Sequence, residues 1–147
     1  MRKVLFVLAA SLAVLFMAAP SQASTVGAMP KASIGVWVNN TRCGWLTSSR
    51  QVCTQTGARL INSEGDIDWR VIGMNYPAGS TVWLEAHIYS ASNMALVGHY
   101  RTSRYVSYSG QSVSIGGFWD CSYAVTVVGH TWKAYSNVQP SSQVWIP

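Results

Sequence analysis

Charge is scarce in this sequence. Asp, Glu, Lys and Arg together make up 10% of its 147 residues, and only 5 of them are acidic. The carboxylates are Glu64, Asp66, Asp68, Glu85 and Asp120. Glycoside hydrolysis needs two acids facing one cleft, about 5 to 10 Å apart, and the stretch EGDID is the only acidic cluster. Asp66 and Asp68 share a strand face there, a pairing that calcium sites use, but a solvated loop and strand start accounts for them. No G-x-S-x-G elbow, H-E-x-x-H helix or C-x-x-C pair is present. The common nucleophile, zinc-protease and dithiol signatures are therefore missing. The basic residues form no Lys/Arg run, so nothing implies nucleic acid as a partner. The sequence reads as non-enzymatic, with no cofactor and no metal expected.

Long apolar runs are also absent, with one exception at the start. Arg2 and Lys3 precede an apolar stretch from Val4 to Ala19, then Pro20 and the small residues of Ser21–Gln22–Ala23. That is the layout of a secretory signal peptide. It is shorter than the roughly 20 residues of a spanning helix, so no membrane attachment is expected after cleavage. The expected organisation is a signal peptide over 1–23, a flexible lead-in over 24–33 and a single β-sandwich domain over 34–147. Loss of Arg2 and Lys3 leaves only a small basic excess. The expected localisation is secreted and extracellular.

Cysteine is limited to Cys43, Cys53 and Cys121, an odd count for an oxidising compartment. Folding CGWLTSSRQVC about Ser48 brings Cys43 opposite Cys53, and this is the preferred disulfide. The rival pair, Cys53 with Cys121, crosses the body of the domain with Trp69 between them, a spacing like the immunoglobulin Cys…Trp…Cys pattern. In the preferred pairing Cys121 is a buried small apolar residue or a route to a covalent dimer.

Helix periodicity is absent beyond the leader. Short alternating runs rich in Val, Ile, Trp, Tyr and Thr take its place, separated by turn residues. SIGVWVNN sets Ile34, Val36 and Val38 on one side, and DIDWRVIGMNY sets Ile67, Trp69, Val71 and Gly73 together. CSYAVTVVGH groups Cys121, Tyr123, Val125 and Val127, and Val144 and Ile146 close the chain. Such runs predict an all-β, antiparallel sandwich or barrel. The segment VIGMNYPAGSTVWLEAHIY resembles a motif of secreted bacterial immunoglobulin-like β-sandwich domains, carried here by Val71, Gly73, Tyr76, Pro77, Gly79 and Val82. CSYAVTVVGH is similar to the penultimate strand of such domains. The resemblance covers Ile67 to His130 and implies an immunoglobulin-like sandwich of about seven to nine short strands. It says little about activity, because sandwiches host many unrelated functions.

The stretch from Thr81 to Tyr100 alternates most clearly. Val82, Leu84, Ala86 and Ile88 form one face; Trp83, Glu85, His87 and Tyr89 form the other. A hairpin about Ser92 sets Glu85 opposite His99, Trp83 opposite Arg101, Leu84 opposite Tyr100 and Ala86 opposite Gly98, with Leu96 and Tyr100 in the core. Glu85 and His99 have the chemistry of an acid/base pair, or of two metal ligands with His87. An exposed cross-strand ion pair, contributing at most about 1 kcal/mol, accounts for them without either role. The aromatics carry more information. Seven Trp and 7 Tyr are more polar-tipped rings than a core needs, and Trp37, Trp83 and Trp145 fall out of phase with their apolar neighbours. The expected function is binding of an extracellular or cell-wall glycan through Trp83, Glu85, His87, Tyr89, His99 and Arg101, rings stacking and polar groups bonding hydroxyls. The alternative is a protein-directed effector (an inhibitor, adhesin or antagonistic toxin) that uses the same face against a surface protein.

Overall fold

A computed structural model describes residues 34–121 and 123–147; the expected signal peptide and lead-in lie outside the described residues. Eight strands follow one another: β1 (Val38–Thr47), β2 (Arg50–Leu60), β3 (Ile67–Met74), β4 (Thr81–Ser90), β5 (Leu96–Tyr105), β6 (Val113–Trp119), β7 (Val125–Lys133) and β8 (Ser141–Ile146). They build two antiparallel sheets, ordered β1-β2-β3-β6 and β5-β4-β7-β8. The result is an all-β sandwich, as the alternation predicts. No helix among the described residues is long and apolar enough to cross a membrane.

Alternation is the cause of the layering. Successive strand residues point to opposite faces, so Ile67, Trp69 and Val71 on β3 meet Ala86 and Ile88 on β4, Val125 and Val127 on β7, and Val144 and Ile146 on β8 in one apolar cluster. A second cluster holds Val52, Tyr76, Val82, Leu84, Val106 and Val113. Inward positions of β2 run Val52, Thr54, Thr56, Ala58, so two buried threonines stand between the clusters. Their hydroxyls are all used. Thr54 Oγ1 shares a 2.6 Å hydrogen bond with Thr131 Oγ1 and donates to the Pro140 carbonyl at 2.8 Å. Thr56 Oγ1 lies 2.6 Å from Ser142 Oγ and donates to the Ser142 carbonyl. Tyr76 Oη bonds Thr131 Oγ1 at 2.8 Å, and burial pushes its phenol up to about 12 against the opposing pull of that bond. Buried hydroxyls so satisfied cost the core little.

Cys43 and Cys53 face each other in the β1–β2 register and form the disulfide. The rival Cys53–Cys121 bridge does not form. Cys121 is buried in the first cluster, its thiol donating to the Gly65 carbonyl at 2.9 Å. Burial, then the charges of Asp66 and Asp120, push this thiol up to about 11. Thiolate, the reactive form, is therefore depleted at pH 8. Iodoacetamide is expected to leave Cys121 unmodified over hours in the native protein and to alkylate it within minutes in denaturant. Equal rates in the two conditions would show that the site opens freely. A covalent dimer through Cys121 requires the same opening.

Two local expectations are corrected. Ile34 and Val36 are exposed, because this segment makes isolated bridge contacts, Ile34 with Leu60 among them, instead of a strand; Val38 alone of the three packs on the core. Leu96 is exposed rather than buried. A register irregularity between Ile88 and Tyr89 moves the inward position on β5 to Val97, which packs on the core in its place.

Candidate functional site

β4 is the inner strand between β5 and β7, so its outward residues are flanked on both sides. Register sets the rows. Trp83 lies between Ser103 on β5 and Trp132 on β7, and Glu85 lies between Arg101 and His130. His87 lies between His99 and Val128, and Tyr89 between Leu96 and Thr126. β8 extends the last two rows with Gln143 and Trp145. The six residues singled out from the sequence, Trp83, Glu85, His87, Tyr89, His99 and Arg101, thus share one outer face.

The expected pairing is corrected. Glu85 is directly opposite Arg101, not His99, and Trp83 is opposite Ser103, not Arg101; Ala86 is opposite Tyr100 and Leu84 opposite Thr102. The turn is longer than a tight reversal about Ser92: Ser90 N–H donates to the Ala95 carbonyl, and Asn93 Oδ1 accepts from Ala95 N–H. That turn and the adjacent irregularity shift β5 by two residues, which preserves the face of every side chain. Diagonal neighbours then restore the expected contacts. His99 Nε2 lies 2.7 Å from Glu85 Oε1, and the Arg101 guanidinium sits over the Trp83 ring at 4.5 Å from its centroid.

Two zones make up the face. In the first, Trp83 and Trp132 lie nearly parallel, centroids 6.3 Å apart and planes at 18°, and Arg101 covers both rings. In the second, the His87 ring stacks on His99 at 4.6 Å and 3°, meets His130 edge-on at 5.4 Å, and tilts against Tyr89 at 6.0 Å. The Glu85 side chain is 14% exposed and that of His99 47%. His87 Nε2 stands 3.9 Å from Glu85 Oε1, beyond hydrogen-bonding reach, and its Nδ1 is buried with no partner. Burial first, then the neighbouring His87, holds His130 below the usual imidazole range, with Glu85 pulling the other way. His130 is accordingly neutral at neutral pH.

The remaining rings are used elsewhere. Trp69 is buried and Trp119 packs on the first cluster. Trp37 lies beneath Arg59 and Arg70, whose guanidinium carbons are 5.1 and 4.2 Å from its centroid. Trp45, on the disulfide-linked β1, is exposed. The acidic cluster is structural: Asp68 pairs with Arg59 at 2.7 Å, and Asp66 accepts from Asn62 Nδ2 and from the Cys121 amide. His130 and Trp132 were not among the residues singled out from sequence. Their signal is the phase of AVTVVGHTWK, in which both fall opposite to Val125 and Val127. That phase places them on an outer face but cannot say that β7 adjoins β4.

The chain matches no protein-family model, and no curated protein resembles it at a significant level.

Proposed function

We propose that the chain is a secreted, non-enzymatic binding module of immunoglobulin-like type, whose outer β5-β4-β7-β8 face recognises an extracellular or cell-wall glycan. The observation that carries this reading is the gathering on one outer face of the Trp83–Trp132 pair, the histidine cluster with Tyr89, and Trp145 one strand beyond Thr126. Planar rings suit the apolar face of a sugar ring, and Glu85, His99 and Arg101 beside them supply acceptors and donors for hydroxyls. The leader over 1–23 and the Cys43–Cys53 disulfide support an oxidising, extracellular compartment. Strand order supports the immunoglobulin-like reading. β2-β3-β6 against β5-β4-β7-β8 follows the A-B-E and C′-C-F-G neighbours of that fold. Here β1 is an added edge, and the disulfide joins β1 to β2 in place of a bridge between the sheets.

Retention on insoluble polysaccharides tests the function. Trp83→Ala and Tyr89→Ala are each expected to weaken retention about tenfold, equivalent to about 1.4 kcal/mol. Parent-like retention by both variants, or no retention by the parent on any polysaccharide tried, would remove this face from glycan recognition.

One observation favours a second reading, a protein partner. Arg101 lies over both tryptophan rings, and Trp, Tyr and Arg are the residues that dominate protein-interface energetics. Here a crosslinked protein partner, lost in Arg101→Ala, replaces polysaccharide retention as the outcome.

A further inference from the structure

All 3 histidines of the chain lie in the second zone of the outer face, around its single carboxylate. Glu85 and His87 sit two apart on β4 and so point the same way, and His99 stands directly across from His87 on β5. Three donor side chains thus project from a two-strand platform, and one ligand atom from each falls within 4.8 Å of the others. A tetrahedral site with bonds of about 2.0 to 2.2 Å separates its ligand atoms by about 3.3 to 3.6 Å. The observed approaches to Glu85 Oε1, 2.7 Å from His99 Nε2 and 3.9 Å from His87 Nε2, bracket that spacing. A metal lies in the plane of each imidazole it binds, so binding also requires that at least one of the two stacked rings turn about its side-chain torsions.

Two further observations point to a ligand rather than a self-contained cluster. Arg101 is the direct cross-strand neighbour of Glu85, the usual geometry for an ion pair. It turns onto Trp83 and Trp132 and leaves the carboxylate to the imidazoles. Among the described residues His87 Nδ1 is buried without a partner, and Nε2 is 3.9 Å from Glu85 Oε1, the nearest acceptor in the cluster. Its Nε2 faces the Glu85 carboxylate without bonding it, so that nitrogen is free to take a ligand once the ring turns out of its stack on His99. Two imidazole nitrogens with one carboxylate oxygen suit a borderline dication, whereas calcium and magnesium take all-oxygen shells.

We propose that Glu85, His87 and His99 bind one transition-metal dication of the zinc, copper or nickel type, with a fourth position left open to solvent or ligand. Binding replaces the His99–Glu85 hydrogen bond by two bonds to the metal. The Nε2 proton of His99 leaves that atom, and the ring carries its proton on Nδ1. His130, edge-on to His87, flanks the site on the β7 side without joining it. This inference goes beyond glycan recognition and does not depend on it, because it concerns the metal alone.

Calorimetric titration of the purified, metal-stripped protein with ZnCl₂ tests it. One Zn²⁺ per chain is expected, with micromolar or tighter affinity, and with CaCl₂ and MgCl₂ at least about 100-fold weaker. His99→Ala and His87→Ala are each expected to weaken Zn²⁺ by at least the about 10–100-fold that loss of an outer-shell partner costs. His99 is half-exposed, so its variant retains the fold. The imidazole resonances of His87 and His99 should shift together on Zn²⁺ addition to the parent, a readout that needs no variant. Absence of saturable uptake, uptake unchanged in both variants, or Ca²⁺ bound as tightly as Zn²⁺ would overturn the assignment. Polysaccharide retention is a separate measurement, so either reading can fail alone.

Discussion

Trp69→Ala is expected to destabilise the sandwich by about 4 kcal/mol, within the range for truncating a buried tryptophan. The indole is 2% exposed and sits on the inner face of β3. Its ring lies 4.8 Å from that of Tyr100, across the sandwich on β5. On its own sheet it lies against Gly117 of β6, where an added Cβ would come within 3.2 Å of the six-membered ring. The side chain is therefore enclosed from both sheets, and an alanine leaves a void that neighbouring backbone cannot fill. Equilibrium urea unfolding reads the loss as a lower midpoint at similar slope. A second substitution separates packing from polarity. The Trp69 indole N–H is buried with no partner, a group whose desolvation costs about 1–3 kcal/mol. Trp69→Phe removes that donor while keeping most of the ring, so it should lose far less than Trp69→Ala. Similar losses in the two variants would contradict this account of the core.

Gly129→Ala is expected to cost about 3 kcal/mol, at the upper end of the range for overpacking a filled core. Gly129 lies on the inner face of β7, between Ala86 of β4 and Ser142 of β8. These small residues let the sheets approach closely there. A Cβ on Gly129 would collide with Thr56 Oγ1 and stand 2.7 and 3.0 Å from the two methyls of Val71. Neither neighbour can yield cheaply. Thr56 Oγ1 is held by the Ser142 carbonyl and hydroxyl, and Val71 is fully buried in the first cluster. A double-mutant cycle with Val71→Ala checks the cause. If the clash dominates, Gly129→Ala and Val71→Ala together should cost less than the sum of their separate losses. Strict additivity would mean that the alanine acts elsewhere.

Both effects arise between the sheets, whereas much of the architecture within each strand is local. The inside-out phase of Ile67–Trp69–Val71 and of Val82–Leu84–Ala86–Ile88 is written in alternating residue types, because a strand turns over at every residue. The preference for Cys43–Cys53 is local too, since a short hairpin sets the two opposite each other, but the rival Cys53–Cys121 was settled only by the fold. The outer face of β4 and β5 is legible for the same reason: a shift of two residues changes partners but not faces. The exact partners are not. They follow from the length of the turn after Ser90 and the irregularity at Ile88/Tyr89, a difference in backbone geometry with no strong mark in the residues Ala91 to Ala95.

What the sequence determined by itself, then, is the class of fold and which side chains of β4 and β5 face outward; it preferred Cys43–Cys53, and the β1–β2 register decided that pair over Cys53–Cys121. Only the tertiary structure decided that β7 adjoins β4. That adjacency brings His130 beside Glu85 and Trp132 beside Trp83 from more than forty residues along the chain. It also decided that Arg101 covers the tryptophans and leaves Glu85 to His87 and His99. Strand phase is a property of each segment alone. The choice of neighbouring strand comes from the packing of both sheets against one core, and no segment carries that information separately.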